Sequence, residues 1–217
     1  MTRPKSATDR AYHDTRGRIL DGVLAGGDVI TEGQVSTALG ISRTPVREAF
    51  LRLQAEGLLQ LYPKRGAVVV PVSAEEVDSV MEAREIIETF AAEKLLSENE
   101  HLPAALLDNM WLHLSHMQTG LQSGTAAEFY DAETGFHLGL VAACSNPYLV
   151  DLFSNLRDHQ RRLVVAAGGR TGSPRREASY RAHVDMSGHL ERGSLDRYLS
   201  ALRAHLRTER TALHAHV

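Results

Sequence analysis

The sequence predicts a mainly α-helical protein, in which an N-terminal winged helix-turn-helix precedes an all-α bundle of about six helices. Three observations lead to this prediction. A glycine turn between a capped helix and an arginine-bearing helix lies near residue 40. Two short apolar runs joined by a basic turn follow it. Beyond residue 71, apolar residues recur at the helical period and no stretch alternates as a strand would.

The length of 217 residues accommodates two compact domains. We expect a disordered tail at 1–8, a winged helix-turn-helix domain at 9–71 and a helical domain at 72–217. The boundary falls there because Ser73 and Glu76 have the spacing of a capping box, which starts a helix directly after the first domain.

The helix-turn-helix is predicted from its caps and its apolar spacing. Thr31 and Gln34 have the spacing of a capping box, so a short helix begins there. Gly40 starts the turn that follows. Pro45 suits the first turn of the second helix, where an N–H would lack a partner anyway. The apolar stripe of that helix comprises Val46, Ala49, Phe50 and Leu53.

Polar and basic residues near the start of the second helix are the candidates for reading DNA. Arg43, Thr44 and Arg47 lie off the apolar stripe, at first-turn positions that contact DNA in such motifs. Arginines that are merely solvated on a helix surface are the ordinary alternative. The turn, the cap and the stripe in register favour the DNA-binding interpretation.

The segment after this helix predicts a hairpin with a basic tip, or wing. Residues 58–61 and 67–70 are short apolar runs, and the turn between them contains Lys64, Arg65 and Gly66. The two cations would reach phosphates or a minor groove, and the glycine supplies the backbone freedom of the turn.

The charge distribution agrees with a DNA-binding N-terminal domain. Residues 1–70 contain 10 Lys and Arg against 7 Asp and Glu, whereas residues 71–217 contain 14 against 20. The positive part therefore contains the helix-turn-helix, although the whole chain has a net charge of −3.

The N-terminal segment resembles the DNA-binding domain of GntR-family transcription regulators. The resemblance rests on the run Ser42–Ala49, on Leu53, on Glu56–Leu58 and on Arg65–Gly66. Many members of the FadR-like branch carry a basic residue at the start of the second helix of the domain, and here that position is Gly33. The resemblance thus implies a DNA-binding domain that lacks one of the family's contacts with DNA.

The second domain is divided into about six helical segments by periodicity and by glycine and proline residues. Breaks are expected at Pro103, Gly120–Gly124, Ser145–Pro147, Gly168–Pro174 and Gly193. The predicted helices span 74–97, 103–121, 125–143, 147–167, 175–191 and 195–214.

Histidines and one carboxylate of this domain form a candidate metal site. Glu133 and His137 are four residues apart and project from one helix face. His183 and His205 lie on the last two helices, which a short turn makes antiparallel neighbours. Such a set would hold a divalent ion, zinc first and nickel or manganese as alternatives, and leave positions for water or an anion. From spacing alone, a surface pair of acid and histidine is the more common arrangement.

These residues resemble the metal-binding effector domain of the FadR-like branch, called FCD. The resemblance rests on the run Glu133–His137, on Ala142 and Asn146, and on His183 and His205. It implies that Glu133, His137, His183 and His205 are the metal ligands.

The acidic ligand of that family is usually Asp, so Asp131 is an alternative to Glu133. We favour Glu133, because Asp131 is six residues from His137 and points elsewhere on a helix. His189 is likewise six residues from His183 and is interpreted as structural. For His113 and His116, packing or exposure is the favoured interpretation.

Arg84 is the candidate for binding an effector. An i, i+4 salt bridge to Glu88 would be its ordinary explanation. FCD domains resemble one another in placing an arginine at this point, and a guanidinium clamps a carboxylate through two hydrogen bonds. A metal with open positions beside a guanidinium describes a receptor for a small carboxylate-containing metabolite.

The combined resemblances imply a cytoplasmic, homodimeric transcription regulator, either a repressor or an activator, that reads a palindromic operator and responds to a small organic acid. Three alternatives stay open: a metal-dependent enzyme, a sensor of the metal ion itself, and a purely structural metal. The single cysteine, Cys144, suits a reducing cytoplasm and is expected to be a small buried hydrophobe. No apolar window is long enough for a membrane span, so no membrane partner is expected.

Overall fold

The computed structural model describes residues 6–98, 101–123, 126–167 and 173–215. The chain divides into two compact units with the division between Ser73 and Ala74. The first unit also includes Arg161–Ala166, and the rest of the later chain up to residue 216 belongs to the second.

The first unit combines three helices with a small antiparallel sheet. Strand β3 lies between β1 and β2, so that Ile30 pairs with Ala67 and Leu61 pairs with the same residue from the other side. The β2–β3 hairpin is the predicted wing. In chain order the elements are α1 (Ala7–Leu20), β1 (Val29–Ile30), α2 (Glu32–Leu39), α3 (Arg43–Ala55), β2 (Leu59–Tyr62) and β3 (Gly66–Val69).

The predicted tail is too long, because α1 begins at Ala7. The Ser6 hydroxyl accepts a hydrogen bond from the Asp9 amide, and the Asp9 carboxylate accepts one from the Ser6 amide. This capping box satisfies N–H groups that a helix start otherwise leaves without partners. Residues 6–8 are therefore part of a capped helix start, and residues 1–5 lie outside the described residues.

The predicted caps and stripe of the helix-turn-helix are present. Thr31 and Gln34 form the reciprocal capping box of α2, and Gly40 ends that helix with a left-handed backbone at φ 63°. The stripe of α3 is fully buried in the core of the unit, together with Ala67 and Val69 of β3. Its members are Val46, Ala49, Phe50 and Leu53.

The second unit is helical throughout its described residues, and its six predicted helices are confirmed with ends that differ by at most two residues. Helix α4 packs against α6 and α9, and α8 packs against α5 and α9. The helices are α4 (Ala74–Glu98), α5 (Ala104–Ser123), α6 (Ala126–Ala143), α7 (Pro147–Ala166), α8 (Ser173–Glu191) and α9 (Leu195–His214). None of the described helices is both long enough and apolar enough to cross a membrane.

Two of the predicted breaks are wrong in detail. Helix α5 continues through Gly120, where a Cβ would lie 2.9 Å from the backbone nitrogen of Phe129. The glycine therefore allows α6 to approach closely and does not end the helix. Pro174 lies in the first turn of α8, where its missing N–H costs nothing. The remaining predicted breaks near Gly124 and 168–172 fall outside the described residues.

Candidate functional sites

Helix α3 presents its candidate DNA-contacting residues to solvent. Arg43, Thr44 and Arg47 are exposed in its first turns, away from the buried stripe. The N-cap residue Ser42 makes no side-chain cap hydrogen bond, so the first amides of α3 stay available to an anionic partner. A helix N-terminus with free amides favours a phosphate group.

Arg43 also lies beside Gly33, the position where the family resemblance led us to expect a basic side chain. A Cβ on Gly33 would lie 3.7 Å from Nη2 of Arg43. A basic group is therefore present next to the start of α2, although it comes from α3.

The wing exposes its two cations at the turn between β2 and β3. Lys64 and Arg65 are exposed, and Lys64 has a left-handed backbone at φ 64°. Gly66 has φ 99°, and a Cβ there would lie 2.5 Å from the Ile30 carbonyl oxygen, so only glycine fits. Across the parts of the chain that the structure describes, Arg43, Lys64 and Arg65 form no ion pair. Their positive charges are therefore available to bind phosphate groups.

The four candidate metal ligands converge inside the helical unit. Glu133 and His137 project from α6, His183 from α8 and His205 from α9. One ligand atom from each lies within 4.8 Å of all the others. The four side chains are buried, with exposed fractions between 0 and 5%. A close cluster of this composition is suited to a divalent cation.

The nitrogens of the cluster are oriented for an ion. Nδ1 of His183 lies 2.8 Å from the Ser179 carbonyl oxygen, which only accepts, so the proton of a neutral ring is on Nδ1. Nδ1 of His137 lies 2.6 Å from Oε2 of Glu88, which favours a proton there too. Both Nε2 atoms then carry lone pairs, and they face each other at 2.9 Å.

Two facing lone pairs repel unless a proton or a cation lies between them. Nε2 of His205 is also buried and, within the described residues, has no hydrogen-bond partner. It lies 3.5 Å from Oε1 of Glu133, which in turn lies 3.9 Å from Nε2 of His183. A divalent ion held by these donors would satisfy all of these atoms, so the residues fit such an ion.

Burial favours the neutral imidazole form of His183 and His205, which is the form that binds a metal. It lowers the pKa of His205 to about 4, and the nearby positive charge of Arg84 contributes to the lowering. Burial also lowers the pKa of His183 well below 6.5, with help from the other two histidines. Burial and the negative charge of Glu209 raise the pKa of the Glu133 carboxyl well above 4.5. The positive charge of a bound ion would oppose this rise, because it favours the carboxylate form.

Two further carboxylates, Glu88 and Glu209, complete the polar core. Glu88 was expected from the sequence only as the salt-bridge partner of Arg84, and Glu209 was not expected there. Oε1 of Glu88 lies 2.9 Å from Nε of Arg84, and Oε2 of Glu209 lies 2.9 Å from Nη1 of the same guanidinium. Arg84 is itself only 1% exposed. Burial alone would raise the pKa of Glu88, but His137 and Arg84 lower it to about 2. The i, i+4 spacings from Arg84 to Glu88 and from His205 to Glu209 were the available signals in the sequence.

The other residues considered as ligands lie outside this cluster. Asp131 is exposed on α6. Nδ1 of His189 lies 3.2 Å from Nη2 of Arg192. The rings of His113 and His116 contact edge to face at 6.3 Å. None of the four belongs to the set of converging ligand atoms found among the described residues.

The pKa of His205 predicts acid sensitivity of the metal-free protein. Because the folded-state pKa is lowered from 6.5 to about 4, the stabilisation by this neutral ring is complete above pH 6.5 and is lost as pH falls through 4. The difference corresponds to about 3 kcal/mol of unfolding free energy. We expect denaturant unfolding of chelated protein between pH 7 and 4.5 to show a shallower loss of stability in His205→Gln than in the wild type.

Exposed His101 provides the control for this comparison. The variant His101→Gln should retain the wild-type pH dependence. Glu133, whose raised pKa has the opposite sign, is present in all three proteins, so the comparison isolates His205. If the free energy of unfolding changes with pH equally in His205→Gln and in the wild type, the lowered pKa does not belong to His205.

A winged helix-turn-helix and a helical unit with a buried cluster of potential metal ligands define a class of two-domain regulatory proteins. Residues 7–69 match the gntR family of bacterial regulatory proteins, and residues 79–208 match the FCD domain. The chain therefore belongs to the GntR family and carries an FCD domain. The resemblance seen in the sequence is confirmed.

Curated relatives and solved structures agree with this family. The chain is 27% identical over 156 residues to the gluconate operon transcriptional repressor of Bacillus licheniformis. The aligned residues make up 72% of this chain and 63% of that relative. The chain thus spans less than two thirds of the relative's length. It is 26% identical over 195 residues to the HTH-type transcriptional repressor RspR of Escherichia coli K12, covering 90% of this chain and 83% of RspR.

The fold itself is shared with the E. coli protein McbR/YncC, with a TM-score of 0.79 at 19% identity over 97% of this chain and 98% of the other. The named relatives are transcription regulators and not enzymes.

Proposed function

We propose that this protein is a metabolite-responsive transcription regulator that binds a palindromic operator as a homodimer. Arg43, Thr44 and Arg47 read base edges, while Lys64 and Arg65 hold the DNA backbone and Gly66 shapes the wing. The exposure of these side chains supports these roles. Operator symmetry matches the two-fold symmetry of a dimer. We infer a cytoplasmic location, because a bacterial regulator acts where its DNA is.

The helical unit binds a divalent metal and a small organic acid. The observation that carries this proposal is the buried convergence of Glu133, His137, His183 and His205. Zinc is the first choice for three nitrogens and one carboxylate oxygen, and nickel or manganese are the alternatives. When bound, the ion supplies a Lewis-acid centre with positions left for a ligand oxygen. Arg84 beside the cluster supplies the cationic partner of a carboxylate.

The chain's own residues prepare this site for an anion. Ser179 and Glu88 fix the rings of His183 and His137 through their Nδ1 atoms, so that both Nε2 atoms point into the cluster. Burial excludes water from the charged groups, which strengthens their attraction to a carboxylate. An effector must bind two states of the dimer differently to change operator affinity. We infer that the effector favours an arrangement of the dimer in which the distance between the two DNA-binding domains does not match the spacing of the operator half-sites.

Thermal unfolding of the zinc-loaded protein against small carboxylates, sugar acids and amino acids tests the sensing role. Gluconate belongs in the panel because one relative represses a gluconate operon. An effector at about 100 times its dissociation constant should stabilise the protein by about 2.7 kcal/mol. The shift should vanish when a chelator removes the metal. No shift with any acid, in protein that still contains zinc, would contradict an organic effector and favour a metal-ion sensor or a structural metal.

A further inference from the structure

Glu209 has contacts that the metal-binding role leaves unexplained. It lies on α9 one turn after His205, and its carboxylate bridges two other groups of the site. Oε2 lies 2.9 Å from Nη1 of Arg84, and Oε1 lies 3.6 Å from Nε2 of His205. Nε2 of Gln160 donates a longer hydrogen bond to Oε2, at 3.4 Å. One carboxylate thus spans the guanidinium and the edge of the candidate metal cluster.

Glu209 differs from the other buried acids in its access to solvent. Its side chain is 16% exposed, whereas the side chains of Glu88 and Glu133 are 0% and 4% exposed. Oε1 of Glu88 also accepts a hydrogen bond from Nε of Arg84, and its Oε2 contacts Nδ1 of His137 at 2.6 Å. Glu209 is therefore the acid of this core that can move into water with the smallest rearrangement.

The charges around Arg84 make this acid a competitor for any anion. Glu88 and Glu209 pair with the guanidinium of Arg84, and the charge of Glu133 also acts on it. These groups have two negative charges in excess when all three acids are ionised. A divalent ion neutralises that excess but provides no surplus positive charge for an incoming carboxylate. Displacement of Glu209 into solvent would restore one positive charge and free Nη1 of Arg84.

Tyr130 provides a second observation. It lies on α6, three residues before Glu133. Its hydroxyl is buried and, within the described residues, has no hydrogen-bond partner. Burial raises the pKa of this hydroxyl, and the negative charges of Glu133 and Glu209 raise it further. A buried donor without a partner is suited to a ligand that brings its own acceptor.

We propose that Glu209 is an internal substitute for the effector, occupying the subsite of the effector carboxylate until the effector displaces it. This inference rests on the proposed function and adds a mechanism of release to it. Effector binding then requires a side chain of α9 to leave Arg84 of α4, two helices that pack against each other. The ligand-bound and ligand-free states therefore differ in a contact between helices, which is the differential interaction that a switch needs.

The test compares acetate binding, by calorimetry, to zinc-loaded wild type and Glu209→Gln. Glutamine keeps the size of the side chain and removes its charge. We expect acetate to bind the variant at least about tenfold more tightly, with one zinc still bound to each chain. Glu209→Ala should show the same direction if glutamine disturbs folding. Glu85→Gln is the matched control, because Glu85 pairs with Arg203 at 3.0 Å between the same two helices on an exposed face.

The outcomes separate this inference from the proposed function. Wild-type acetate affinity in both Glu209 variants would overturn the internal substitute while leaving the effector site intact. Loss of zinc from Glu209→Gln would overturn it by making Glu209 a metal ligand. If neither acetate nor any acid of the panel binds to the zinc-loaded wild type or to the zinc-loaded variants, both proposals are overturned. A tenfold gain in acetate affinity in Glu85→Gln as well would show that removal of any negative charge between these two helices has this effect. That result would contradict the inference.

Discussion

His183→Ala is expected to reduce zinc affinity by at least about 100-fold, because loss of even an outer-shell partner of a metal ligand costs 10- to 100-fold. The ring of His183 is fully buried, and its Nε2 lies 2.9 Å from Nε2 of His137. Alanine removes one donor from the centre of the cluster and leaves a cavity. The affinity is measured by competition with a chromophoric chelator, with bound metal counted per chain.

His189→Ala is the matched control for this substitution. It lies on the same helix, outside the cluster, where its ring contacts Arg192. We expect wild-type zinc affinity in this variant. If His183→Ala held one zinc per chain with unchanged affinity, the proposed site would be wrong.

Arg47→Ala is expected to have the largest effect on recognition of specific DNA. A lost bidentate contact to a guanine costs about 1–3 kcal/mol, or about 5- to 150-fold in affinity. Arg47 is exposed on the first turns of α3 and makes little contribution to the core. Fluorescence anisotropy should therefore show a large loss with a duplex that the protein selects from random sequence, and a small loss with a scrambled duplex.

Lys64→Ala, on the wing, is the comparison for Arg47→Ala. A phosphate contact carries no sequence information, so this variant should weaken binding to both duplexes alike. It should also reduce the slope of the logarithm of the binding constant against the logarithm of the salt concentration by about 1. Arg47→Ala with unchanged discrimination between the duplexes would remove Arg47 from base readout.

Local sequence signals were sufficient to predict most of the fold. The capping box at Thr31, the apolar stripe that includes Phe50 and the period of the later helices each depend on residues a few positions apart. The extent of the N-terminal tail and the break at Gly120 were predicted less accurately. Asp9 can complete a capping box with Ser6, and Gly120 permits close helix packing instead of a break.

The candidate metal cluster could be predicted in part, whereas its surroundings could not. Glu133 and His137 share a helix, so their proximity follows from spacing. Arg84 and Glu209 are 125 residues apart in the chain, and only the packing of α4 against α9 brings them to 2.9 Å. Helical periodicity does not specify which helices become neighbours. The double contact of Arg84 with Glu88 and Glu209 therefore needed the tertiary structure.

Operator affinity measured with and without effector tests whether the protein is a metabolite-responsive regulator. Zinc-loaded protein is titrated into the selected duplex by anisotropy, in the absence and presence of a saturating acid from the thermal screen. We expect the acid to change the dissociation constant for the operator at least about tenfold, which is a typical coupling between two sites, and His183→Ala to abolish the change. Identical operator affinity at every concentration of an acid that demonstrably binds would contradict the proposed regulation.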